Sequence, residues 1–168
     1  REVLFKMDPL GLVKRVRLAD VFEKVKVNQS AGKPPLTMAG WTQGMFRQMC
    51  ILAGCDYLSK DGDNRSDTHI KGIGLKTAFK LMLTHRTAEG IIDMLTVSRK
   101  EGTIPSGYKA GVIRAENTYL HQICYCTKTK QMVPLQPYVG GASAEDYPFA
   151  GKCLDPEIAT DLALGLLS

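Results

Sequence analysis

Asp56 closes a run of apolar and small residues, Met49-Cys50-Ile51-Leu52-Ala53-Gly54-Cys55, and is followed by Tyr57 and Leu58. An ionised carboxylate is costly to desolvate alone, so one at such a place calls for a cation, a hydrogen-bond donor or a metal ion. Further along, Gly72-Ile73-Gly74 stands directly before an apolar pattern of helical spacing. Glycines there let backbone N–H groups come close to an anion, and the positive end of the helix dipole adds to the attraction. Lys76 and Lys80 are four apart and share one face, opposite the stripe of Leu75, Phe79 and Met82. Together these residues could hold consecutive phosphates of one DNA strand without reading bases. Each feature also has a plainer reading, a helix-end carboxylate for Asp56 and an ordinary tight turn for the glycines. Neither a Walker loop nor a dinucleotide fingerprint fits, because the Gly-x4-Gly-Lys spacing and the third glycine are both absent.

The elements that must carry these residues can be read from periodicity. Thr42 is a helix cap, and Met45, Phe46, Met49, Leu52 and Ala53 recur at helical spacing behind it. Gly54 loosens the end of that helix and leaves Asp56 just past its last turn. Leu75, Ala78, Phe79 and Met82 predict a helix over residues 75–83, and residues 87–95 predict another. Pro105 can open a long helix with Tyr108, Val112, Ala115, Tyr119 and Ile123 one turn apart. Residues 125–135 predict a hairpin around Thr127-Lys128-Thr129-Lys130, and residues 156–166 a final helix. Near the start, Val3 to Met7 predict a strand ended by Asp8-Pro9-Leu10-Gly11, whereas residues 13–27 suit either a strand or a helix. Residues 28–35 read as a loop. Residues 60–69 contain no apolar side chain and read as an exposed loop.

The chain has 168 residues, 44% hydrophobic and 23% charged, which suits one soluble domain with a real core. No apolar run approaches the roughly 20 residues that cross a bilayer, and the first residues lack the pattern of a secretion signal. The missing initiator Met and a start inside a strand suggest a piece of something larger. Five cysteines in mostly apolar settings suggest reduced thiols, and their spacing suits a structural zinc site poorly. The net charge of +5 is unevenly placed, with ten Lys/Arg against four acids in residues 71–130 and one against five in residues 131–168. A basic middle and an acidic tail fit one polyanion-binding face as well as a solvated helical surface.

Two stretches taken together carry a resemblance. The residues from Phe46 to Leu58, containing Arg47-x-Met49-Cys50-Ile51-Leu52-x-Gly54-Cys55-Asp56-Tyr57-Leu58, and then Lys71-Gly72-Ile73-Gly74-Leu75-Lys76-Thr77-Ala78, closely resemble the structure-specific 5′ nucleases. This is the flap endonuclease and XPG-type superfamily, and the first stretch looks most like its exonuclease 1 branch. The opening Val3 to Asp8, the stretch 107–120, Val133-Pro134-Leu135 and the stretch 147–165 are similar too, so the likeness covers nearly the whole chain.

The resemblance implies an α/β fold. Residues 3–7 would form the edge of a PIN-like, mostly parallel sheet, followed by a mainly helical region with a helix–two-turn–helix DNA-binding element. The chain would be the carboxyl-terminal part of one nuclease domain. Residues 1–58 would end the sheet and carry the metal-site helix, 59–83 an insertion loop and the two-turn element, and 84–168 a helical region with a hairpin. Asp56 would be a catalytic residue, one carboxylate of a cluster holding two divalent ions, normally Mg2+, that activate water and stabilise the leaving oxygen. Gly72, Gly74 and Lys76 match the two-turn motif directly. Thr77 and Lys80 lie on the same DNA-binding segment, where backbone groups and a K+ ion clamp the duplex. Candidate K+ ligands are the carbonyl of Ile73, the backbone of Ala53, and Ser59.

Two departures qualify this. The other carboxylates of such a metal site belong to segments missing here, and Asp8, Asp20 and Asp93 show no spacing that could replace them. One carboxylate cannot hold two Mg2+ ions, so the isolated chain is expected to be inactive and to bind DNA weakly. The loop 60–69 inserts roughly nine residues between Tyr57-Leu58 and the glycine turn, which displaces the Ser of the K+ site. Its Asp61-Gly62-Asp63-Asn64-Arg65-Ser66-Asp67 fails the EF-hand pattern, since Gly72 stands at the twelfth position.

The function implied is part of a 5′→3′ double-strand DNA exonuclease with 5′-flap endonuclease activity, acting in DNA repair such as mismatch repair. The alternatives are a replication flap endonuclease and a non-catalytic duplex-binding module. Partners would be duplex DNA with 5′ ends, nicks or flaps, and unidentified repair proteins. The protein would be a nuclear monomer without a membrane role.

Overall fold

The computed structural model describes residues 2–7, 13–23, 37–58, 69–98 and 104–166. The chain divides into two compact units, Arg1–Phe46 and Arg47–Ser168. In the first unit, β1 (Glu2–Met7) pairs antiparallel with β2 (Val13–Arg17), with Met7 opposite Val13 and an irregularity between Glu2 and Leu4. The ambiguous stretch after residue 13 resolves into both alternatives, β2 and then α1 (Leu18–Glu23). The rings of Phe22 and Phe46 meet edge to face at 6.0 Å.

The expected edge of a mostly parallel sheet is not what the described residues contain. Their two sheets are two-stranded and antiparallel. The physical reason is connection length. The few residues between Met7 and Val13 can close a hairpin, whereas a parallel partner needs a crossover of a dozen or more residues.

The second unit is mainly helical. Helix α2 (Gln43–Leu52) starts where expected, since Thr42 Oγ1 accepts a hydrogen bond from the Met45 N–H at 3.1 Å. A single 3-10 turn follows at Asp56–Leu58, then α3 (Leu75–His85), α4 (Ala88–Ser98) and α5 (Tyr108–His121). The hairpin β3 (Ile123–Cys126) and β4 (Gln131–Pro134) comes next. Helix α6 (Pro156–Ala163) is capped by Asp155, which accepts from the Glu157 N–H at 2.9 Å.

The core of this unit is built from Ile51 and Leu52 of α2, Leu58, Ile70 and Ile73, Ala78, Phe79 and Met82 of α3, Ile91, Ile92 and Leu95 of α4, and Val112 and Ala115 of α5. Leu75 departs from its predicted stripe. It is the first helical residue of α3 and is 59% exposed, because the buried face begins one turn later at Ala78. Ile123 likewise lies in β3, not on α5, and the buried face of α5 continues through Thr118 and His121. His121 Nδ1 lies 3.2 Å from the Gln136 carbonyl, and its ring stacks on Tyr147 at 4.7 Å. The loop from residue 60 to 68, Ser59, the turn at 8–11 and the loop at 28–35 lie outside the described residues.

Candidate functional site

The turn that carries Asp56 is fixed from several directions. Gly54 leaves α2 with φ +115°, a conformation open to glycine, and its N–H donates to the Ile51 carbonyl at 3.0 Å. The Leu58 N–H donates to the Cys55 carbonyl at 3.3 Å, and the Leu58 side chain is buried. The Leu58 carbonyl accepts from Arg114 Nη2 of α5 at 2.7 Å. One turn earlier on α5, Gly111 lets the helix approach so closely that a Cβ there would stand 3.1 Å from the same carbonyl oxygen. The ring of Tyr57 meets that of Tyr119 edge to face at 5.1 Å.

Asp56 itself is exposed, not half-buried, and opens the 3-10 turn. Among the described residues no ion pair or hydrogen bond engages its carboxylate. Beside it, burial pushes the thiols of Cys50 and Cys55 up. All five cysteines are free.

A polar cluster behind the turn ties three helices together. Glu116 of α5 accepts from Arg47 Nε at 3.2 Å and Nη2 at 2.8 Å through one oxygen, and from Gln48 Nε2 at 2.9 Å through the other. Gln48 Oε1 in turn accepts from the Ala88 N–H at 2.9 Å, so its amide caps the start of α4. This serves a helix end that would otherwise leave its first N–H groups unpaired.

The second predicted stretch is a tight turn leading into α3. The Ile73 N–H donates to the Ile70 carbonyl at 2.9 Å, and both isoleucine side chains are buried. Gly72 has φ +85°, whereas Gly74, the N-cap of α3, has φ −94° and ψ −179°, open to any residue. A Cβ on either glycine would meet nothing within 4 Å. No side chain caps α3, and no acidic residue lies in its first turn. Lys76 and Lys80 are exposed and Thr77 is half-buried, so the start of α3 presents open N–H groups flanked by ammonium groups. Ala53 is half-buried after α2, with its N–H bound to the Met49 carbonyl at 3.0 Å.

The two stretches therefore keep separate supports. Asp56 is braced by α5, and the glycine turn is anchored through Ile70 and Ile73. Among the described residues no group of three metal-ligating side chains comes together, so Asp56 is at most one ligand of a metal site. No described helix is long and apolar enough to cross a membrane. Sequence reasoning missed Gln48, Gly111, Arg114 and Glu116. One signal was available in Gly111, a glycine inside a helix, which costs about 1 kcal/mol against Ala and so points to a close approach.

No family model matches the chain. Exonuclease 1 of Xenopus laevis is 35% identical over 132 residues, which is 74% of this chain and 16% of that relative. Exonuclease 1 of Danio rerio is 34% identical over 134 residues, 76% of this chain and 15% of the relative. Flap endonuclease 1 of Phaeosphaeria nodorum is 39% identical over 66 residues, 39% of this chain and 14% of the relative. The chain thus spans about a sixth of the length of these curated relatives. Relatives of this kind, on a mixed and mostly helical α/β fold, define the class as nucleases. The chain belongs to the structure-specific 5′ nuclease family that includes exonuclease 1 and flap endonuclease 1.

Proposed function

We propose that this chain is part of a 5′→3′ double-strand DNA exonuclease with 5′-flap endonuclease activity that acts in DNA repair, such as mismatch repair, in the nucleus. The observation that carries the reading is Asp56, an exposed carboxylate on a turn held at its backbone by a neighbouring helix. A solvated surface acid needs no such support, whereas a metal ligand must be held in place. The likeness to exonuclease 1 of Arabidopsis thaliana extends over 98% of this chain and that to flap endonuclease 1 of Candida dubliniensis over 60%, which supports the exonuclease branch.

In this reading Asp56 supplies one carboxylate to a two-Mg2+ centre, whose ions would activate water and stabilise the leaving oxygen. The remaining carboxylates would come from outside the described residues, on a PIN-like sheet. The chain alone is therefore expected not to cut DNA. The turn at Gly72–Gly74 and the start of α3 would act as the helix–two-turn–helix element on duplex DNA with 5′ ends, nicks or flaps. Gly74 supports this role. Neither its φ nor its surroundings require glycine, so a bare backbone there serves something that approaches from outside. A K+ ion held partly by the Ile73 carbonyl, with Ala53 and Ser59 as further ligands, would strengthen the clamp.

The test is cleavage of a recessed duplex and of a 5′ flap in Mg2+. The full-length nuclease carrying this segment should cut both, Asp56→Ala should abolish cutting while leaving DNA affinity intact, and residues 1–168 alone should be inactive. Robust cutting by Asp56→Ala would sink the assignment.

A further inference from the structure

We propose that the outer face of α6 is a docking surface for a basic amphipathic helix of a partner protein, gripped by Ile158 and Leu162 and steered by Glu157 and Asp161. Helix α6 is secured by features that leave this face untouched. Asp155 caps its start. Its end is closed by the Gly165 N–H on the Leu162 carbonyl at 3.1 Å and the Leu166 N–H on the Asp161 carbonyl at 2.8 Å. The inward face rests on the β3–β4 hairpin, with Ala159 buried and the Tyr125 hydroxyl 3.1 Å from Thr160 Oγ1.

Ile158 and Leu162 lie one turn apart and are 47% and 44% exposed. Leu154 before the cap is exposed too, as are Leu164 and Leu166 after the helix. Single apolar side chains on a surface are ordinary, but five gathered on and around one short helix mark a face that something covers. By helical spacing Glu157 and Asp161 stand beside Ile158 and Leu162, on the side away from Ala159. With Pro156 and Thr160 they line an open concavity of about 430 Å³. Among the described residues neither carboxylate has an ion pair.

The sign of this charge chooses the occupant. Residues 131–168 carry one Lys/Arg and five acids, so the face repels both DNA and anionic lipid. A partner helix with apolar residues one turn apart can lay them against Ile158 and Leu162. Lys or Arg beside those residues then reaches the two carboxylates in the concavity, which fixes orientation and speeds encounter.

The experiment uses the full-length nuclease carrying this segment and a fluorescent helical peptide of Leu and Lys in amphipathic order, read by anisotropy. A matched peptide with Glu in place of Lys is the control. The Lys peptide should bind, and the Glu peptide should bind at least about tenfold more weakly. Ile158→Asp and Leu162→Asp should each weaken binding about tenfold. Glu157→Lys should weaken it about fivefold in low salt, with the difference fading as salt rises. DNA affinity and cutting of a recessed duplex should be unchanged in all three variants. Both apolar positions are exposed, so the denaturant midpoint should hold, and if one variant fails to fold the other two give the same reading.

Equal binding of the two peptides, or binding indifferent to Ile158 and Leu162, would overturn the proposal. Absence of binding would do so as well, and blocked maleimide labelling of Ile158→Cys would then give the face to another segment of the parent nuclease. Self-association in light scattering that Leu162→Asp abolishes would give it to a second copy instead.

Discussion

Gly72 and Gly74 stand two residues apart in one turn on opposite sides of backbone space, φ +85° and φ −94°. They are therefore glycines for different reasons. At Gly72 a side chain would meet the left-handed penalty of roughly 1–2 kcal/mol, whereas at Gly74 it would meet neither strain nor a neighbour. Gly72→Ala should lower the denaturant midpoint of the chain by an amount equivalent to about 1 kcal/mol. Gly74→Ala should leave stability unchanged or slightly raised, yet weaken duplex binding by blocking approach to the first N–H groups of α3. Equal loss of stability in both variants would contradict this division of roles.

Lys76 sits in the first turn of α3, exposed, and Lys80 lies one turn on along the same face. If Lys76 neutralises one phosphate, Lys76→Ala should weaken binding to all duplex sequences alike and reduce the slope of log K against log salt by about one. Fluorescence anisotropy over a salt series checks this. An unchanged slope would place the ammonium off the DNA path.

The ion pair of Arg47 and Glu116 is a third target. Both side chains are mostly buried, at 24% and 20% exposure, and Glu116 also receives Gln48, which caps α4. Glu116→Ala leaves a guanidinium and an amide without their acceptor, so the loss should exceed that of a surface pair. About 2 kcal/mol is expected from urea unfolding. Arg47→Ala combined with Glu116→Ala should cost less than the sum of the two, because the double variant leaves neither partner of the pair stranded. Strict additivity would show that the pair contributes nothing.

Much of this arrangement was legible in local pattern. Thr42 capping α2, the helices after residues 74, 87 and 107, and the hairpin around residues 127–130 all follow from spacing, turn residues and caps. Where the reading and the structure differ, the pattern of one element did not name the neighbour it packs against. The strand at residues 3–7 reads the same whether its neighbour is parallel or antiparallel. Leu75 fits a helical stripe, but only the neighbouring elements decide where burial begins. The least legible link is Arg114 with Leu58, 56 residues apart, because a backbone carbonyl has no sequence signature.

Tyr108 supplies a test of the packing between α5 and the rest of its unit. Its side chain is buried, and among the described residues its hydroxyl has no hydrogen-bond partner. Burial, with a smaller contribution from nearby Cys55, pushes its phenol up from 10.0 to about 12. An acid whose folded pKa is raised holds more protons folded than unfolded. Its contribution is therefore complete below the unfolded value near 10 and is lost as pH climbs toward 12. The loss across that window should approach about 3 kcal/mol, since each tenfold weakening of acidity corresponds to about 1.4 kcal/mol. Tyr108→Phe removes both the titration and the unpaired hydroxyl. It should match or exceed the wild type by about 1 kcal/mol near neutral pH, and the two stability curves should separate further above pH 10. Urea melts at a series of alkaline pH values measure this directly, and curves that stay parallel would mean that the hydroxyl reaches solvent.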